Sequence, residues 1–575
     1  MKQLRSLLGD RRRRQRGSIL SSLLIIVAFL SILVGAVMTE QTTSFLISRT
    51  HVTRMQNQAT VTSAVELGIH QLQTSPVPPI CAQDSRGPWF LTLNGSPAAV
   101  TETCAEIVPD FAGGLSPGAF AVDGVHDTTA GRNRYLVSDA LGALRSYTFG
   151  QVTPSWSVGI GGSPTASLLT KAGSGGSVVI LIPEAMAGSG CGGNCVALFN
   201  DAGGAPSLRC TMPASTAVTA TPAAEVSASG SPNFPDYVFF GSSGPAGRLY
   251  VYDASAGGSC QQLRSAALGG TTVGAPLVFP GVVDNKGKDT SVSDEIFVLV
   301  TDSNNTFLQH WRYIEEDCQD CGGKTTSLSQ VGLPVSLTSA VGANAIGYAI
   351  SSNVPANGAN LNLVVGTASG KLAMVRIAVR SGPSYTPSIG ATAVLPGGIS
   401  DPPYWCHCPG GQNLIGVGTT NGFLYVLSSA LAAQWSYNGQ PDGWPAISTT
   451  PMADANGDWY FGANDGSVYV VEIPMSGPQM FKAAKFGPGG AIASSPVVGA
   501  CSSGPCLYFG SATAGSYFAR LGGTRTIDLR ACISSALGST TCAANPRLWA
   551  RVEVGSPAVV GGSGVYVQGW SYYAP

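Results

Sequence analysis

"YVFFGSSGPAGRLYVYD" occupies residues 237–253. It is an apolar run ending in Gly, a small polar loop with a second Gly, then an alternating apolar strand. Strand, glycine-containing turn and strand make a β-hairpin, and the alternation buries one face of each strand. The phrase returns as "NLVVGTASGKLAMVRI" (362–377), "LIGVGTTNGFLYVLS" (414–428) and "WYFGANDGSVYVVE" (459–472). Looser copies are "YLVSDALGALRSYTF" (135–149), "VVILIPEAMAGSGCGGNCVALFN" (178–200), "EIFVLVTDSNNTFLQHWRY" (295–313) and "CLYFGSATAGSYFARL" (506–521). Between them lie phrases such as "TTVGAPLVF" (271–279), "AISTTPMAD" (446–454), "AIASSPVVG" (491–499) and "EVGSPAVVG" (553–561).

One such unit cannot bury both of its faces alone, whereas radially stacked units can. The expected fold class is therefore mainly β: an eight-bladed β-propeller, with seven blades as the alternative because the terminal copies are weak. "GVYVQGWSYY" (564–573) is expected to supply a closing strand beside "GAFAVDGV" (118–125). The hairpin and "SPVV" phrases, over about 135–562, resemble the propeller repeats of quinoprotein dehydrogenases and their non-catalytic relatives. Such repeats encode packing rather than activity. The adjacent cysteines that this enzyme class sets against its cofactor are missing, Cys406-His407-Cys408 being the nearest approach, and no calcium-holding carboxylates or base can be assigned. The five histidines (His51, His70, His126, His310, His407) are scattered, and no P-loop, Gly-x-Ser-x-Gly elbow or metalloprotease helix motif is present. The chain is expected not to be an enzyme.

Ahead of the repeats stands "RRRRQRGSILSSLLIIVAFLSILVGAVMTE" (11–40), in which Ile19–Met38 is uncharged. Twenty residues at about 1.5 Å each span about 30 Å, one bilayer core. The Arg cluster marks the cytoplasmic side. Beyond the apolar run, Val61, Ala64, Val65, Gly68, Ile69 and Leu72 form a helical stripe, and Thr74-Ser75-Pro76 ends it. One helix is expected from about Ile19 to about Gln73, preceding the propeller.

A basic leader, a Gly, a long apolar helix and an amphipathic continuation resemble a type IV pilin or pseudopilin over residues 1–75. The resemblance implies cleavage at Gly17–Ser18 by a prepilin peptidase, with the helix as a membrane anchor before assembly and a filament core element afterwards. Ser22 stands at the fifth mature position, where most pilins carry a Glu that pairs with the amino terminus of the preceding subunit. A subunit without it resembles the minor pilins that cap a filament. The implied domains are a leader (1–17), a transmembrane and amphipathic helix (18–75), a linker or small pilin-like subregion (76–115) and the propeller (116–575).

Fourteen cysteines fall into near neighbours: Cys81/Cys104, Cys191/Cys195, Cys210/Cys260, Cys318/Cys321, Cys406/Cys408, Cys501/Cys506 and Cys532/Cys542. In an exported chain this spacing reads as disulfides stapling loops. Zinc at Cys318/Cys321 or at Cys406-His407-Cys408 is the alternative. "DANGDWYFGAND" (454–465) sets Asp454, Asn456, Asp458 and Asp465 at positions 1, 3, 5 and 12, a calcium-loop spacing. Trp459 replaces the required Gly, so turn chemistry is the favoured reading, calcium is the one possible cofactor, and no other cofactor is expected. "VDNKGKDTSVSDE" (283–295) reads as a solvated loop. Tyr404, Trp405, Trp435, Tyr437 and Trp444 either line a binding surface or fill the core.

After Gly17 the chain carries 24 basic and 31 acidic residues, which disfavours nucleic acid as a partner. The expected role is a minor pilin-like tip subunit that displays a propeller for assembly, adhesion or ligand contact. Its expected partners are other pilin subunits, the prepilin peptidase, the inner membrane and a surface or ligand outside the cell. Its expected location is the inner membrane, then the pilus, cell surface or periplasm. The alternatives are a membrane-anchored quinoprotein-like dehydrogenase and a non-catalytic envelope scaffold.

Overall fold

The protein is described from a computed structural model. It covers residues 3–573 apart from 75–87, 94, 108–109, 117–123, 140, 174–175, 187–192, 226–236, 255–258, 280–282, 287–288, 303–304, 319–322, 338–346, 354–360, 380–384, 409–411, 455–456, 474–477, 488, 502–503, 514, 522–524 and 555–564. The chain opens with one helix, α1 (Gln3–Thr74), and is otherwise mainly β. The helix begins sixteen residues before the expected Ile19 and runs through the basic leader; it ends beside the Pro-rich stretch, as expected.

Two kinds of sheet follow. The first kind is a single five-stranded antiparallel sheet in the order Trp89–Leu93, Ser96–Ile107, Arg525–Ser534, Cys542–Val554, Val565–Tyr573. It packs on the second half of α1. Val61, Ala64, Val65 and Leu72 of the helix share one apolar cluster with Val100, Ile527, Leu529, Leu548 and Val552 of the sheet. A Cβ on Gly68 would stand 3.4 Å from both Leu529 and Val100, in ordinary van der Waals contact, so this face of the helix lies directly on the sheet. Each fully buried Val or Leu here contributes about 1.5–3 kcal/mol. The expected closing strand, 564–573, therefore lies elsewhere: Val565–Tyr573 pairs with Cys542–Val554 beneath the helix.

The second kind is a run of eight sheets. They are sheet 1 (125–159), sheet 2 (163–214), sheet 3 (223–267), sheet 4 (271–336), sheet 5 (347–394), sheet 6 (404–438), sheet 7 (452–486) and sheet 8 (492–520 with Asp110–Ser116). The eight hairpin phrases are the central hairpins of these sheets. Each sheet shares an apolar cluster with the next, from Leu136 and Val178 between sheets 1 and 2 to Tyr460 and Leu507 between sheets 7 and 8. Sheet 8 meets sheet 1 in the same way: the Tyr135 and Tyr508 rings stack at 4.3 Å, and Tyr147 donates a hydrogen bond to the Leu115 carbonyl at 3.1 Å.

The two glycines of the repeated phrase have different causes. The first sits where the next sheet's leading segment crosses: a Cβ on Gly366 would come within 2.8 Å of Ile399, and on Gly462 within 2.4 Å of Ile492. The second, as at Gly422 and Gly466, has φ of 80° and 82° and forms the hairpin turn. Residues 283–295 are not a loop; Val283–Lys286 and Asp289–Thr301 pair as a hairpin on sheet 4.

The two kinds of sheet are linked through the same two stretches of chain. Ile107 pairs with Arg525 in the helix-packed sheet, and Asp110 pairs with Arg520 in sheet 8. The chain thus leaves the helix-packed sheet and returns to it through adjacent strands. The expected boundary at 116 falls at the end of a sheet 8 strand, while Arg525–Ser534, Cys542–Val554 and Val565–Tyr573 belong to the helix-packed sheet.

Candidate functional sites

Among the described residues, the first half of α1 presents a long exposed apolar surface. Leu23, Leu24, Ile25, Ile26, Phe29 and Ile32 are each more than half exposed, and exposure continues to Met55. Ser31, Thr39, Thr42, Thr43 and Thr50 each donate to the carbonyl four residues back at 2.7–2.8 Å. A polar side chain satisfied within its own helix tolerates lipid or a packed helix equally well. Gly17 and Ser18 lie within the helix, and the description does not extend to their side chains.

Four of the expected cysteine pairs are disulfides: Cys210–Cys260, Cys406–Cys408, Cys501–Cys506 and Cys532–Cys542. Cys195 is also disulfide-bonded. Cys81, Cys191 and Cys321, and the side chains of Cys104 and Cys318, lie outside the described residues. The Cys532–Cys542 bridge ties the turn between two strands of the helix-packed sheet.

The calcium-loop residues are engaged in turns. Asp454 accepts the Asp458 N–H at 3.0 Å and the Tyr460 hydroxyl at 2.9 Å. Asp465 accepts the Ser467 N–H at 3.0 Å and the Tyr469 hydroxyl at 2.7 Å, and it pairs with Lys485 at 3.0 Å. Burial opposes the charged form of Asp465, but these bonds outweigh it and hold its pKa below the usual carboxylate range. Asp458 is buried, and Asn456 lies outside the described residues. Among the described residues no three His, Cys, Asp or Glu side chains gather as a metal-ligand group.

The aromatic candidates separate. Trp405 and Tyr437 are buried, and Tyr404 and Trp435 pack on the cluster between sheets 6 and 7. Trp444 is 41% exposed and has a left-handed backbone, φ 60°. The Phe423 ring lies 5.1 Å from it.

The fold is propeller-like. Among solved structures, the chain is similar to Sqt1 of Saccharomyces cerevisiae, at 14% identity over 72% of this chain and 98% of that one, with a TM-score of 0.46. It is also similar to BamB of Moraxella catarrhalis, at 14% identity over 72% of this chain and 100% of that one, with a TM-score of 0.40. No protein-family model and no curated protein sequence matches the chain.

Three polar features escaped sequence reading: one joins residues far apart in the chain, one pairs residues across a single hairpin, and one is a buried acid without a hydrogen bond. Asp201, wholly buried, is shared by Arg132 at 2.5 Å and by Arg134, which also binds Asp127 at 2.8 Å. This group locks sheet 1 to sheet 2. Burial opposes the Asp201 charge, but the bonds from Arg132, the Gly203 N–H and Arg134 prevail and lower its pKa. In sheet 4, Glu295 is held between His310 and Arg312, each at 2.5 Å. In sheet 2, Glu184 is 1% exposed with neither carboxylate oxygen hydrogen-bonded, and burial pushes its pKa to about 7. A cavity of about 440 Å3 lies among Leu169, Lys171, Pro222, Ala224, Pro276 and Val278 of sheets 2 to 4.

Proposed function

We propose that this chain is a non-catalytic, minor type IV pilin-like subunit whose α1 and five-stranded sheet form the filament-building base, and whose eight sheets form an eight-bladed propeller displayed at the tip. The observation that carries this reading is the insertion. The propeller interrupts the base between Ser96–Ile107 and Arg525–Ser534, so the base is complete without it. The base covers only the second half of α1 and leaves the apolar half bare, which suits a helix that passes from a bilayer into a bundle of like helices.

The basic leader would stay cytoplasmic and be removed after Gly17. The propeller, stapled by disulfides, would stand outside the cytoplasm. A head of this size is hard to pack at every position along a fibre. Ser22 supplies no carboxylate for a neighbour's amino terminus, and leaving that amine uncompensated in an apolar core would cost several kcal/mol. Both points favour an end position in few copies, where the propeller contacts a surface or ligand. Calcium is not required by this reading.

Intact-mass analysis of membrane-extracted protein tests it. The expected mature chain begins at Ser18. A chain beginning at Met1, or cut between Met38 and Gln41, contradicts the pilin-like assignment.

A further inference from the structure

Trp444 combines two properties that rarely occur together. It is the one exposed Trp or Phe outside α1 among the described residues, and it occupies a left-handed backbone conformation. Non-glycine residues avoid that conformation unless their surroundings enforce it. Here they do. The loop 439–444 is tied to the sheet 6 hairpin by the Gly439 N–H, which donates to the Gly422 carbonyl at 3.0 Å, and the Trp444 N–H donates to the Gly439 carbonyl at 3.1 Å. Asp442 is gripped by the Tyr437 hydroxyl at 2.9 Å and by Lys482 at 2.8 Å, with Lys485 at 3.3 Å. Beneath the indole, Phe423 lies against Trp444 at 5.1 Å and stacks on Tyr425 at 5.6 Å. The result is a tied-down aromatic cluster whose outermost ring, Trp444, is tilted 44° to Phe423 and reaches solvent.

The rim of this platform is polar and uncharged. Asn438 lies opposite Phe423 in the strand register, and its Oδ1 accepts the Gln440 N–H at 2.9 Å. Asn421, two residues before Phe423, accepts the Thr419 hydroxyl through its Oδ1 at 2.6 Å. Both amides thereby turn their oxygens inward and keep their NH2 donors for a ligand. Gln440 is exposed. The only carboxylate of the loop is already neutralised by two lysines, so a cation would find little charge to attract it.

A part-exposed indole, beside a hairpin whose Asn421 and Asn438 keep free amide donors and a loop whose carboxylate is compensated, suits a ligand with an apolar C–H face and a hydroxylated edge. We propose that Trp444, with Asn421, Asn438 and Gln440, forms a binding subsite for a neutral saccharide. The inference deepens the proposed adhesive role and rests on it. The strained backbone fits a site whose exposed ring is held ready rather than recruited on binding.

The test uses the full-length chain in detergent on a glycan array carrying neutral and anionic oligosaccharides, alongside Trp444→Gly and Trp444→Phe. The wild type is expected to retain neutral glycans. Trp444→Gly should weaken that binding about tenfold or more, and Trp444→Phe should weaken it less. Because glycine accepts φ 60°, Trp444→Gly should melt at the wild-type temperature or above it. A merely structural Trp would instead lower the melting temperature on removal. The inference is overturned if the wild type retains no neutral glycan, if it retains only anionic glycans, or if Trp444→Gly binds as the wild type does. Gold labelling of filaments from the same strains separates the two readings. Wild type at filament ends without glycan binding sinks only the saccharide site, whereas wild type along shafts sinks the tip role whatever the array shows.

Discussion

In the propeller, hydrogen-bonded strands are mostly neighbours in the chain, joined by short turns. In the base they are not: the Thr101 hydroxyl donates to the Arg530 carbonyl across 429 residues. The propeller is made of local hairpins that each supply one half of two apolar clusters. The base is one long-range sheet that cannot form until both ends of the chain are present. Local pairing costs little loop-closure entropy, whereas distant pairing costs more and slows folding. An inserted propeller offsets that cost, because it holds residues 110–116 beside 515–520 and so delivers the two ends of the base side by side.

If the two regions are cooperative units of their own, calorimetry should show two transitions that respond to different substitutions. The largest effect is expected for Asp201→Ala, which leaves Arg132 and Arg134 without their shared carboxylate between sheets 1 and 2. Breaking a buried ion group by removing one partner costs about 3–5 kcal/mol, and only the propeller transition should move. Leu529→Ala should act on the other unit. It empties a fully buried position between α1 and the sheet, at a cost of about 2–5 kcal/mol, and should move only the base transition. If either substitution shifts both transitions equally, the two regions are a single unit.

A smaller and pH-dependent effect distinguishes two acids of the same sheet. Asp201 has a lowered pKa, so the stability it gives is present above the ordinary Asp range and is lost as pH falls through its folded value. Glu184 has a raised pKa of about 7, so the native state keeps a proton that the unfolded chain releases. Its contribution is complete below the ordinary Glu pKa and is lost as pH rises toward 7. Glu184→Gln should therefore raise the propeller's melting temperature at pH 8, by the equivalent of about 2–3 kcal/mol, with the advantage gone near pH 4. Equal shifts at both pH values would show that Glu184 does not carry that proton.

The same contrast explains what could be read from the chain alone. The hairpin phrases were legible because each contains its own turn, and the glycine before each turn marks close approach of the next sheet, as at Gly462 and Ile492. The end of α1 was legible from Pro76, and four local cysteine pairs from their spacing. The strands at 525–573 were not, because their alternation is the same as that of propeller strands and their partners lie at 89–107. Asp110–Ser116 was missed as the outer strand of sheet 8 for the same reason. Nor could sequence separate Trp444 from Trp405 and Tyr437, since exposure is decided by the loop at 439–444 and not by residue type.

In the proposed role, the base builds a filament and the propeller ends it. Immunogold labelling of sheared filaments with an antibody to the propeller tests this most directly. Gold is expected at filament ends, in few copies per fibre. Labelling along the shaft, at a stoichiometry near that of the main subunit, would contradict it.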